Sequence, residues 1–240
     1  MRKNNSSILT YIFVGIAGIF FMGCMLSSCG KGNTVLPAGS NIQYQVINLS
    51  PDLLPVNLYI DNTKKNSNPY YYPNPSGYFS LTSIDTPFQI RASSTSISTT
   101  NILSIDTLLK NNLKYTLFIT GFRANNSIVY MLTRDTAVNP TAGRGKIRFV
   151  NASPASVPFD IIANGSLAFS NQAYKNVSKF VEFPAGTYDF KIYPTGAPTN
   201  ILADFPGITV QDGKIYTLYC RGVAGRTDSA AFGLGLLNNK

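Results

Sequence analysis

The chain contains no histidine and no tryptophan, and only three of its 240 residues are cysteine. Without histidine, Ser-His-Asp and Cys-His nucleophile arrangements are excluded, as are metal sites that use imidazole. Cys24 and Cys29 both fall within the first thirty residues, which leaves Cys220 alone in the remainder. A disulfide scaffold is thereby excluded. Charged side chains make up only 13% of the chain, and the 20 basic ones are dispersed. Lys64-Lys65 is the single adjacent basic pair after the N-terminal segment. Nucleic-acid binding needs a basic stripe on a recognisable module, and the sequence shows neither. A long helical pattern is missing too. The best stretch, NILSIDTLLKNN at 101–112, is weakly periodic and reads equally well as a strand and a turn.

Acidic residues are few, eleven in all, and isolated along the chain. A glycosidase needs two carboxylates at a set separation, and no local pattern here pairs them. The expectation is a chain with no catalytic residue, no metal and no cofactor.

What the sequence does contain is a repeat. YQVINLSPDLLPVNLYIDN at 44–62 matches IRFVNASPASVPFDIIANG at 147–165. Asn48, Ser50, Pro51 and Pro55 fall on Asn151, Ser153, Pro154 and Pro158 at a constant offset of 103. Tyr78–Phe88 then aligns with Phe180–Phe190 at offset 102, and Tyr115-Thr116-Leu117 with Tyr216-Thr217-Leu218 at offset 101. Gly121 and Gly222 follow the last pair of segments. Four ordered matches with small drifts describe a duplicated module with loop insertions and deletions.

Each copy reads as six or seven short strands. Ile42, Tyr44 and Val46 alternate with Gln43 and Gln45, the pattern of a half-buried strand. Asn-x-Ser-Pro makes a turn, because Asn and Ser bond nearby backbone and Pro fixes φ. Asp61-Asn62 and Asn164-Gly165 close the next strands. Ile128–Leu132 and Phe232–Leu237 are the expected last strands, the second weakened by the glycines of GLGLL. The predicted architecture is all-β, two tandem immunoglobulin-like or transthyretin-like sandwich units at 41–139 and 144–240.

Ahead of these units, residues 1–28 read as a signal peptide: Arg2 and Lys3, then no charge from Ile8 to Leu26. Leu26-Ser27-Ser28-Cys29 resembles the lipobox of bacterial lipoproteins, which implies cleavage before Cys29 and lipid on its thiol. Residues 29–40 are then a lipidated tether. The expected localisation is the outer membrane, lipid-anchored, with the facing side open. No acidic run follows Cys29, which weighs against surface export. Loss of residues 1–28 leaves eighteen basic side chains against eleven acidic, a balance of +7. The main partner is thus the membrane itself, through the N-terminal lipid, with a glycan or envelope protein as the second. Nucleic acid is not expected.

RFVNASPASVPFDIIANG at 148–165 also resembles the opening of the domain of unknown function 4397 family. Arg148, Asn151-Ala152-Ser153-Pro154, Phe159-Asp160-Ile161 and Asn164-Gly165 carry the likeness, with Phe183–Tyr188 similar to the family's next turn. Copy one departs from it at Gln45 and Asn57. The resemblance implies an exported β protein without an established reaction, so it transfers no catalytic residue. Arg148 and Asp160 are expected to pair across neighbouring strands. Cys220 is expected to be a small buried hydrophobe.

The candidate binding residues are Tyr70, Tyr71, Tyr72, Tyr78 and Phe79, in PYYYPNPSGYF at 69–79. Three consecutive tyrosines cannot all point inward on a strand, and the prolines imply a loop. Exposed rings suit sugars, peptides or another protein. Copy two has only Tyr174 in the corresponding stretch. Two functions follow: a binding or adhesion module using this loop, or a structural envelope protein that assembles with partner chains and has no small ligand. Exposed rings favour the first, and rings buried between the units favour the second.

Overall fold

A computed structural model describes residues 41–81, 87–93 and 100–240. The expected signal peptide, the expected tether and Cys29 lie outside the described residues. No helix occurs within them, and none is long and apolar enough to cross a membrane. The segment at 101–112 takes the strand-and-turn form.

The first module has eight strands: β1 (Ile42–Asn48), β2 (Val56–Ile60), β3 (Thr63–Lys64), β4 (Phe79–Leu81), β5 (Phe88–Ala92), β6 (Asn101–Ile105), β7 (Lys114–Thr120) and β8 (Val129–Arg134). The second repeats them as β9 (Arg144–Asn151), β10 (Phe159–Ala163), β11 (Ser166–Gln172), β12 (Val181–Pro184), β13 (Gly186–Pro194), β14 (Ala203–Val210), β15 (Ile215–Arg221) and β16 (Gly233–Asn238). Eight strands exceed the six or seven expected, because pieces such as Thr63–Lys64 are too short to show a period. One sheet runs β4-β1-β7-β8 and the other β3-β2-β5-β6. Module two gives β12-β9-β15-β16 and β11-β10-β13-β14, the same order position for position. In each copy the first strand lies parallel to the seventh: Tyr44 pairs with Tyr115, and Ile147 with Tyr216. The all-β, duplicated architecture expected from the repeat is therefore present.

Local chemistry explains the matching turns. Ser50 N–H donates to Asn48 Oδ1 at 3.1 Å, and Ser153 N–H to Asn151 Oδ1 at 3.0 Å. These side chains mimic a backbone turn and stop the first strand. Asp61 and Asn62 both have positive φ, as do Asn164 and Gly165. Each pair links partners one step apart, Ile60 with Thr63 and Ala163 with Ser166. Two residues in the left-handed region give the hairpin twist that strands prefer. Gly121 and Gly222 also have positive φ, and a Cβ there would sit 2.1 and 2.2 Å from a backbone carbonyl oxygen.

Each module has its own core. Tyr44, Val46, Leu58, Phe88, Ile90 and Leu117 fill the first. Ile147, Phe149, Phe159, Phe190, Ile192 and Leu218 fill the second. A third apolar cluster joins the two: Ile47, Leu49, Phe118 and Met131 from module one meet Val150, Ala152, Tyr219 and Leu237 from module two. This corrects the half-buried reading of β1. Ile42, Tyr44 and Val46 do face the core, but the opposite face is covered by the other module. Gln45 is only 3% exposed. The sheet β4-β1-β7-β8 is thus sandwiched twice.

Gly235 serves this junction. It pairs with Tyr219, and a Cβ on it would lie 2.2 Å from the tyrosine ring. The ring, in turn, packs against Phe118 with centroids 5.9 Å apart. Gly235 of β16, an edge strand, therefore makes room for an interfacial aromatic.

Candidate functional site

The tyrosine loop lies at the end of β1, pinned on both sides. Tyr70 N–H donates to Val56 O at 2.8 Å, and Val56 N–H returns to Tyr70 O at 3.2 Å. Val46 N–H donates to Ser76 Oγ, and Ser76 N–H to Val46 O, both at 2.9 Å. Module two repeats the second device: Phe149 N–H meets Ser178 Oγ at 2.8 Å, and Ser178 N–H meets Phe149 O at 2.9 Å. Sequence reasoning missed this serine pair, although Ser76 and Ser178 obey the offset of 102 that aligns the segments just after them.

Backbone pinning fixes what each ring can do. Tyr70 is 8% exposed and belongs to the first core, where burial pushes its hydroxyl up to about 12. Phe79 packs against the same core, edge-on to Tyr44 at 6.1 Å. Tyr78 donates its hydroxyl to Asp135 Oδ2 at 2.7 Å, and Lys114 Nζ lies 5.0 Å from its ring centre. Burial, then the Asp135 charge, pushes the Tyr78 hydroxyl well up. Tyr72 reaches across to module two. Its hydroxyl accepts from Arg221 Nη1 at 3.2 Å, with the guanidinium 5.6 Å from the ring centre. Only Tyr71 is largely open, 54% exposed. It borders a shallow depression of about 200 Å³ lined by Asn68, Pro69, Tyr70, Asn74, Pro75 and Ser76.

Tyr72 is not peculiar to copy one. At offset 102 it corresponds to Tyr174, whose hydroxyl lies 3.5 Å from Thr120 Oγ1 in module one. Thr120 and Arg221 are equivalent ends of the seventh strand. The two tyrosines thus form a reciprocal clasp, each reaching into the opposite module. Tyr70 and Tyr71 fall opposite Gln172 and Ala173, so these two rings are what distinguishes copy one.

A buried polar network also joins the two modules. Arg148, 3% exposed, forms an ion pair with Asp135, 1% exposed. Arg148 also donates to Arg134 O at 2.8 Å, Thr133 Oγ1 at 2.9 Å and Thr217 Oγ1 at 2.9 Å. Its guanidinium stacks 4.9 Å from the Phe180 ring centre. The expected Arg148–Asp160 pair does not form. β9 and β10 lie in different sheets, and Asp160 instead accepts from Asn171 N–H at 2.8 Å and the Thr195 hydroxyl at 3.0 Å.

Carboxylates elsewhere hold loops and surface pairs. Asp52 accepts from the N–H groups of Arg123 and Ala124 at 2.8 and 2.9 Å. Asp189 and Asp212 accept from Gly207 and Gly143 N–H. Asp204, Glu182 and Asp228 pair with Lys191, Lys146 and Arg226. Cys220 is buried, its thiol bonded to Asn151 Oδ1 at 3.1 Å and pushed up to about 12 by burial. That matches its reading as a small core residue. Among the described residues no group of three or more His, Cys, Asp or Glu is placed to hold a metal. The carboxylates named here are thus engaged in structural bonds.

A twice-repeated eight-strand module, joined through matching sheets, defines the class as a duplicated β protein. The family model described as a domain of unknown function (DUF4397) matches the chain twice, over residues 43–157 and 145–239. The chain therefore belongs to this family. No curated protein is significantly similar to it.

Proposed function

We propose that this chain is a non-enzymatic lipoprotein of the cell envelope, anchored to the outer membrane through Cys29, that presents its tyrosine loop to a glycan or protein partner. The single observation behind the binding role is Tyr71. A tyrosine more than half exposed, beside a depression edged by two asparagines and a serine, offers a flat apolar face with hydrogen-bonding groups around it. Its backbone is held by ladder bonds on both sides, so little ordering is needed on binding. The parallel pairing of first and seventh strands supports an immunoglobulin-like or transthyretin-like description of each module. Loops at one end of such sandwiches are common binding sites.

The test is Tyr71→Ser in the full chain. Retention of envelope glycans or proteins should fall, while the free energy of unfolding stays within about 0.5 kcal/mol of the parent. Unchanged retention overturns the loop's role. Replacing all three tyrosines would not separate the two, because Tyr70 is core and Tyr72 clasps the modules.

A second reading is a structural envelope protein without a small ligand. Its support is specific: Tyr72 and Tyr78 are engaged at the module junction rather than offered to solvent.

A further inference from the structure

The tyrosine-loop segment itself carries charge of one sign, and the acid that reaches it, Asp135, bonds Tyr78 and is paired with Arg148. Residues 62–84 contain Lys64 and Lys65 and no aspartate or glutamate. Asn66 ties this lysine pair to the loop, accepting from Leu58 N–H at 2.8 Å and donating to Asn68 O at 2.7 Å. Lys64 is exposed and Lys65 half-buried.

A third cation arrives from the other module. Arg221 is half-buried, held by the Tyr72 hydroxyl, and lies against Gly233, where a Cβ would stand 3.6 Å from its guanidinium carbon. Backbone alone underlies it there. No carboxylate among the described residues lies within ion-pair distance of Arg221. Tyr72 supplies an oxygen but no negative charge, so the guanidinium keeps both its charge and unused N–H groups. Module one has the neutral Thr120 at this position. An arginine fixed in place, with an uncompensated charge, matches the two oxygens of a carboxylate.

We propose that the tyrosine loop and Arg221 form one composite site for an acidic glycan. A sugar ring lies on Tyr71, a carboxylate meets Arg221, and Lys64 and Lys65 attract further acid groups along the polymer. The class of ligand named here rests on the glycan-binding reading of Tyr71.

Polygalacturonate and its fully methyl-esterified form are the probes, titrated against the full chain in detergent at low salt. The two polymers share a ring and differ in charge. Polygalacturonate is expected to bind at least about tenfold more tightly than the ester, with the difference shrinking as salt rises. Arg221→Gln should weaken polygalacturonate about tenfold or more, and Arg221→Lys less. If the glutamine variant fails to fold, the lysine variant carries the comparison. Equal affinity for the two polymers, or an Arg221→Gln variant that binds as the parent does, overturns the acidic-glycan site. Loss of binding in Tyr71→Ser would then still uphold the loop. If neither polymer binds, the acidic site is overturned, and the loop stands or falls on the envelope partner retained through Tyr71.

Discussion

The two modules share their turns, their strand order and their serine latches, but they differ where they touch. Gln45 and Arg148 are equivalent, as are Asp135 and Asn239. The last pair is fixed by matching bonds, Asp135 N–H to Lys114 O and Asn239 N–H to Ile215 O, both 2.8 Å. Module one thus brings the acid to the junction and module two brings the base. A junction between two copies of module one would bury Asp135 without an arginine. Two copies of module two would bury Arg148 without a carboxylate. Either arrangement leaves an uncompensated buried charge, which is strongly unfavourable. The repeat stopped being symmetrical at the positions that decide which half packs on which.

This comparison can be broken most severely at the ion pair. Asp135→Ala strands Arg148 in a buried site and should cost about 3–5 kcal/mol in denaturant unfolding. Asp135→Asn with Arg148→Gln makes the halves alike and uncharged. That double variant should recover much of the loss, and a double variant as unstable as Asp135→Ala would show that charge complementarity is not what matters. Next in size is Gly235→Val. The added side chain meets the Tyr219 ring, so overpacking of about 1–3 kcal/mol is expected. An unchanged thermal midpoint would mean that the ring moves aside freely.

The clasp supplies a finer contrast. Tyr72→Phe removes a hydroxyl that a guanidinium bonds at 3.2 Å, whereas Tyr174→Phe removes one bonded to a hydroxyl at 3.5 Å. Losses of about 0.5–1.5 kcal/mol are expected for the first and less for the second. The reverse order would refute the reading of Arg221 as the stronger partner. Smallest is the pH effect at Asp52. Partial burial opposes its charge, but the Ala124 and Arg123 N–H groups and the Ser50 hydroxyl outweigh this and hold it below the usual 3.8. Its contribution is full above that value and is lost as pH falls through the depressed one. The Arg123 and Ala124 amide NMR signals should therefore titrate with a midpoint below 3.8. A midpoint above it would contradict the bonding at this loop.

Much of the fold was legible because it is local. Asn-x-Ser-Pro, Asp61-Asn62 and Asn164-Gly165 state their turns in adjacent letters, and the offsets of 103, 102 and 101 state the duplication. Alternation in β1 correctly separated Tyr44 from Gln45. It could not say what covers the far face, because a covering module leaves no periodic mark on the strand that it covers. Arg148 was misassigned for the same reason. Its partner belongs to the other module, and cross-strand reasoning searches only neighbouring strands. Within the tyrosine loop, composition required some ring to be exposed. Only the backbone bonds of Tyr70 and the reach of Tyr72 toward Arg221 single out Tyr71.

The parallel pairing of first and seventh strands also governs the order of events as the chain folds. Gln45 meets Thr116 across 71 residues, and Arg148 meets Thr217 across 69. Neither module can complete its main sheet until nearly all of its sequence is available, and contacts so distant in sequence form slowly. With module one closed, Ile47, Phe118 and Met131 are covered only in part by Val150 and Ala152, and the cover is complete only when Tyr219 of β15 and Leu237 of β16 are in place. A chain with only module one folded would therefore present one finished sandwich and one sticky face. Its complementary half, on the same chain, is the partner best placed to cover it.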